Sequence, residues 1–274
     1  MNWKSYSNRA ALFYAAILIS TNVFGQGFGA GISPSKFELR AKPGTVIRDT
    51  ITIVNPGSEP ADYKFSTVDW EMNDSQGPEF FEDQLLDNSC RPWVRLERAV
   101  VHIRPAAQKK YRFEIHIPED AEPGLCKFAL LIQPAEPAMA SIGEGDQQIS
   151  FPVVGRYAAM VYITIGGARA EIDFLGIAEQ IKGDQRLPTL LLSNSGNTLD
   201  RTFGQITATD ADGKRYILIP QDFPILPGRT EAILLSPEQA RNREIVETVF
   251  NYPLQLKGKF EIGGQSFKVD EVFN

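Results

Sequence analysis

The sequence predicts an all-β fold: two immunoglobulin-like β-sandwich domains in tandem, with one short helix in the second. Three observations carry this. Short alternating strand patterns recur along the chain, punctuated by 22 Gly and 18 Pro. Seven strand candidates fall within about 130 residues, the number that an immunoglobulin-like sandwich needs. The rest of the chain then repeats the plan of the first part.

In the first part, Lys36 to Arg40 alternates polar and apolar residues, as a half-buried strand does. Lys42-Pro43-Gly44 turns. Val46 to Val54 alternates again and stops at Asn55-Pro56-Gly57-Ser58. Ala61 to Trp70 is rich in aromatic and β-branched residues. Glu71 to Ser89 is polar and acidic and reads as a long surface loop. Trp93 to Ile103 and Tyr111 to Ile117 resume strand character. Leu125 to Gln133 is a nearly continuous apolar run, which suits a central strand. Pro134 to Gln148 is small, polar and irregular, and Ile149 to Ile165 is long and β-rich.

In the second part, strands are expected at Glu171 to Ile177, Leu187 to Leu192, Phe203 to Thr209 and Tyr216 to Ile219. Further strands follow at Ile233 to Leu235, Leu254 to Ile262 and Ser266 to Phe273. Asn194-Ser195-Gly196-Asn197 stops a strand as Asn55-Pro56-Gly57-Ser58 does. Ile225-Leu226-Pro227 echoes Ile103-Arg104-Pro105, and each turn leads into an apolar strand. The two halves therefore read as a weak internal repeat. Ser236 to Glu247 has helical chemistry, with Ser236 as cap and Pro237 at the first position.

Residues 1–25 read as a secretory signal: Lys4 and Arg9 lead an apolar run from Ala10 to Ile19, too short for an ordinary membrane span. An uncleaved anchor is the other reading. The expected domains are then 26–166 and 167–274. Without the leader, 26 basic residues face 34 acidic ones, a net charge of −8. This balance argues against nucleic acid as a partner, because no basic excess exists to release counterions.

Catalytic chemistry is sparse. His102 and His116, the only histidines, sit in strand patterns with no patterned nucleophile nearby. Asp210-Ala211-Asp212-Gly213 lacks the further ligands of a calcium loop and reads as a hairpin turn. Gly143-Glu144-Gly145 lacks the context of a phosphate loop. Glu79, Glu82 and Asp83 read as a solvated acidic run rather than a glycosidase pair. No cofactor, metal or enzymatic activity is expected. Cys90 and Cys126 either form a disulfide, which export permits, or remain two buried thiols.

Several motifs in order resemble the PapD-like periplasmic pilus chaperones of chaperone–usher systems. They are Ile32-Ser33-Pro34-Ser35-Lys36-Phe37-Glu38-Leu39, Pro43-Gly44, Ile51 to Gly57, Val154 to Tyr162, Leu192 to Asn197 and Leu226-Pro227-Gly228. The resemblance spans nearly all of the chain after the leader. It implies a periplasmic chaperone that caps secreted fimbrial or pilin-type subunits by β-strand addition, in company with an outer-membrane usher. It also implies that Lys36 and Arg156 hold the client's terminal carboxylate, and that Ile149, Phe151 and Val153 lend side chains to the client. Pro152 departs from such a donor strand by removing one backbone donor. Pro118 to Gly124 resembles bacterial cell-surface immunoglobulin-like proteins instead. That gives the alternative of an exported structural or adhesive module at the cell surface.

Overall fold

The computed structural model describes residues 30–142, 149–183, 185–237 and 249–274. All described regular structure is β except one 3-10 turn, Arg91–Trp93. In the first sandwich, one sheet has the order β1-β3-β8-β6 (Gly31–Ser33, Val46–Asn55, Ala107–His116 and Val94–Leu96). The facing sheet runs β2-β12-β9-β4 (Lys36–Ala41, Tyr157–Ile165, Gly124–Pro134 and Ala61–Met72). Two further strands, β5 (Pro78–Phe81) and β7 (Val100–Ile103), pair with β4. The chain switches sheets between β1 and β2 through a cis Ser33–Pro34 peptide, and β2 then lies parallel to β12.

Three sequence expectations are corrected here. The stretch expected as one loop from Glu71 to Ser89 contains β5, hairpinned onto the end of β4. Asn73 makes that hairpin: its Oδ1 accepts the Ser75 and Gly77 amides at 3.0 and 2.9 Å. The strand expected from Trp93 to Ile103 is two strands in opposite sheets, β6 against β8 and β7 against β4. The irregular stretch from Pro134 contributes a strand, β10 (Ala138–Ile142), paired with β11 (Ile149–Val153). Gly143-Glu144-Gly145 lies outside the described residues.

Alternation explains the core. Ile51 and Ile53 from β3 and Tyr111, Phe113 and Ile115 from β8 meet Phe37, Phe65, Phe128, Leu130 and Val161 from the other sheet. Phe37 packs edge-on against Phe113 at 5.3 Å between centroids, an arrangement the ring quadrupoles favour. Cys90 and Cys126 are joined as a disulfide inside this core, with Cα atoms 5.6 Å apart. The adjoining loop is gathered by Arg91, which donates to the carbonyls of Phe81, Glu82 and Gln84.

The second sandwich is one continuous antiparallel path, β13-β14-β17-β16-β15-β18-β19. In chain order these are Ile172–Lys182, Gln185–Asn194, Phe203–Thr209, Arg215–Pro220, Thr230–Pro237, Leu254–Ile262 and Gln265–Phe273. Leu190, Leu192, Ile233 and Leu235 face Ile206, Leu218, Leu256 and Phe260 in its core. Ser236 and Pro237, expected to start a helix, instead end β17 and pair with Ile219 and Leu218. The rest of that expected helix lies outside the described residues.

The repeated asparagine turns have the same architecture. Asn55 donates to the carbonyls of Glu59, Ile103 and Arg104 and accepts the Gly57 amide. Asn194 donates to the carbonyls of Thr198 and Ile225 and accepts the Gly196 amide. Each buried side chain ties its own turn to the Ile-x-Pro turn, which is what the shared sequence pattern encodes.

Candidate functional site

Strands β9 and β12 form a hairpin, and their continuation β10–β11 extends it as a separate two-stranded ribbon. The segment 154–156 breaks regular pairing between the two parts. Among the described residues β11 pairs with β10 alone, whereas β12 is covered on both edges, by β9 and β2. Ile149 is 71% exposed and Phe151 36%, while Val153 is half-buried. The alternating apolar residues of β11 are thus absent from the sandwich core. Among the described residues no second sheet packs against this ribbon, and Ile149 and Phe151 are presented to solvent.

Lys36 and Arg156 lie at the root of this ribbon. Lys36 opens β2 opposite Met160 of β12, and Arg156 precedes Met160 by four residues. Four residues span at most about 13 to 14 Å and neighbouring strands lie about 5 Å apart, so the two Cα atoms are within about 15 Å of each other. In this structure each turns to its own partner. The Lys36 ammonium bonds Asp222 of the second sandwich, and the Arg156 guanidinium bonds Glu82. Both pairs are substantially exposed, so each contributes under about 1 kcal/mol and exchanges readily. Glu82 is therefore a bound counterion here, not merely part of a solvated acidic run.

The even-numbered side chains of β12 and β4 share the outer face of their sheet with the odd-numbered ones of β9. Val68, Trp70, Ala129, Leu131 and Tyr162 form a second apolar cluster there, covered by Leu226 and Leu199 of the second sandwich. The apolar run in β9 is continuous because the strand is buried on both faces, one by its own core and one by the neighbouring sandwich. Polar contacts frame this seam. Arg201 is buried, bonds Glu38 and reaches Asp222 at 2.9 Å, and its guanidinium lies 5.8 Å from the Tyr162 ring centroid. Burial pushes the Tyr162 phenol up to about 12. The hydrogen bond from Lys36, aided by the Arg201 charge, holds the Asp222 carboxyl below its ordinary value. Thr164 and Thr198 bond at 2.7 Å, and Gln76 donates to Glu231 at 3.0 Å.

Sequence reasoning missed Asp222, Glu38, Arg201 and Lys127. Only Lys127 left a local signal, a lone cation inside an apolar run. The other three acquire meaning across the seam. Of the remaining candidates, His102 pairs with Asp62 at 2.8 Å and His116 with Glu114 at 2.9 Å, and both are exposed. Asp210 is consumed by its own turn, accepting the Asp212 and Lys214 amides and the Tyr216 hydroxyl. Among the described residues no helix is long and apolar enough to cross a membrane.

No family model matches the chain, and no curated protein matches it. Solved structures are similar over most of its length. The class 5 fimbriae chaperone CfaA has a TM-score of 0.43 and 12% identity, over 83% of this chain and 98% of that one. The YadV chaperone has a TM-score of 0.44 and 11% identity, over 89% and 98%. The E. coli chaperone DraB has a TM-score of 0.42 and 11% identity, over 89% and 98%.

Proposed function

We propose that this protein is a periplasmic holding chaperone that caps secreted fimbrial or pilin-type subunits by strand addition. The observation that carries the reading is that β11, which among the described residues pairs with β10 alone, exposes Ile149 and Phe151 in alternation. An incomplete subunit sandwich leaves a groove and unpaired backbone groups that otherwise aggregate. A strand laid into it supplies backbone hydrogen bonds for affinity and alternate side chains for specificity. Lys36 and Arg156 receive the client's terminal carboxylate in place of Asp222 and Glu82, exchanging weak pairs inside one molecule for charge-assisted bonds to another. No nucleotide is required, since binding and release are equilibria of strand pairing.

The test is site-specific photocrosslinking. A photoreactive phenylalanine analogue at position 151 is expected to label secreted subunits that lack one strand of their own sandwich. Lys36→Ala with Arg156→Ala should reduce that labelling at least tenfold. Labelling of no such subunit defeats the strand-addition reading, and labelling indifferent to the two cations defeats the anchor.

A further inference from the structure

The seam between the sandwiches opens, away from Lys36, into a cavity of about 410 Å³. Leu125 and Lys127 of β9 form one wall, Leu226 and Arg229 of the second sandwich form the other, and Glu71 and Asn88 stand at the rim. Lys36 lies on β2, two strands from Lys127, about 10 Å across the sheet.

The hydrogen-bond inventory of this cavity is unbalanced. Lys127 is 4% exposed, and its ammonium donates to the Trp70 carbonyl and lies 4.8 Å from the Trp70 ring centroid. An ammonium has three N–H donors. Among the described residues no carboxylate bonds this one. Arg229 uses its Nε on Glu231 at 3.1 Å, and no acceptor meets its terminal nitrogens among the described residues. A guanidinium carries five N–H donors. Asn197, also on the wall, has its amide committed to the Pro123 carbonyl and the Arg169 amide. The donors these two cations carry thus exceed the acceptors that bond them. A buried charge without a bonded counterion is costly, and burial accordingly pushes the Lys127 ammonium down, with the Glu71 and Asp69 carboxylates opposing from a distance. Glu231 already answers Arg229 and Glu71 stands at the rim, so what the two cations lack is not net charge but a bonded acceptor between them.

We propose that this cavity binds a small carboxylate or comparable monoanionic oxyanion, held between Lys127 and Arg229. It supplies the missing acceptors and bridges the two sandwiches at the end of the seam opposite Lys36. The chemistry is shared by a free small acid and by the carboxylate end of a peptide. The site uses none of the residues assigned to strand addition, so either proposal can fail alone.

Calorimetric titration of the client-free protein tests it, using sodium acetate, N-acetyl-tetra-alanine as free acid, and the same peptide as its amide. Saturable acetate binding is expected, weakened at least tenfold by Lys127→Met and by Arg229→Gln and unchanged by Lys109→Ala, which removes an exposed cation outside both sites. Competition by the free-acid peptide but not by the amide assigns the ligand to a peptide end. Acetate binding without peptide competition assigns it to a small free acid. Absence of saturable binding by either probe overturns the proposal. So does undiminished binding in Arg229→Gln, which alters a half-buried side chain and stays informative if Lys127→Met does not fold.

Discussion

Asn55 and Asn194 close equivalent corners of the two sandwiches, but the corners stand in different surroundings. At the first, a Cβ added to Gly57 would approach nothing nearer than the Asn55 side chain, at 3.1 Å. At the second, a Cβ on Gly196 would overlap the Arg169 carbonyl and the backbone of Ala170 and Glu171. The second corner also reaches across the seam, where Asn197 donates to the Pro123 carbonyl. One local hydrogen-bond pattern is therefore used twice, once as a free turn and once as part of the joint. The first sandwich spends its other specialisations elsewhere: it holds the Cys90–Cys126 bond and carries the projecting β10–β11 ribbon. In the second, the two end strands β13 and β19 are backed by a filled core.

The largest effect should come from the disulfide. Its partners are 36 residues apart, and replacing both with Ala is expected to destabilise the first sandwich by about 4 kcal/mol in the chain-entropy account. Calorimetry should then resolve two transitions, with the second sandwich melting later. One undivided transition would mean that the apolar seam makes the halves a single cooperative unit. Next, Gly196→Ala should cost about 3 kcal/mol in urea unfolding, because backbone must move, and Gly57→Ala under about 1 kcal/mol. Equal costs would erase the contrast between the corners.

Smaller is the pH effect of Lys36→Met. Because the folded Asp222 carboxyl is held below its ordinary value near 3.8, its stabilisation is fully present above that pH. It is lost as pH falls through the depressed folded value. The wild-type advantage over the variant should be under about 1 kcal/mol near neutrality and vanish in acid, as read by urea titrations at several pH values. Smallest is the ribbon: Ile149→Asp with Phe151→Asp should change stability by less than about 0.5 kcal/mol while abolishing client crosslinking. A large loss of stability would show that these side chains serve the protein's own core.

Strand content and the repeated corners were legible because both are local. Alternation with period two reports one buried face, and an asparagine two residues before a glycine reports a turn it can bond. The β5 hairpin was missed because its four residues, Pro78-Glu79-Phe80-Phe81, present no alternation within a polar stretch. The strand from Trp93 was over-extended because propensity does not record a change of sheet. Ile149, Phe151 and Val153 of β11 were visible as a pattern, but a pattern of alternating apolar residues is the same whether it fills a core or faces water.

What the sequence by itself determined is the β class, the turn chemistry and the parity of side chains along each strand, since these depend on neighbours a few residues away. Only the tertiary structure decided which apolar faces remain exposed and which carboxylate each cation meets. Asp222 reaches Lys36 across 186 positions and Glu82 reaches Arg156 across 74. Such pairings are set by how sheets stack and sandwiches abut, a property of the packed chain that no local window contains.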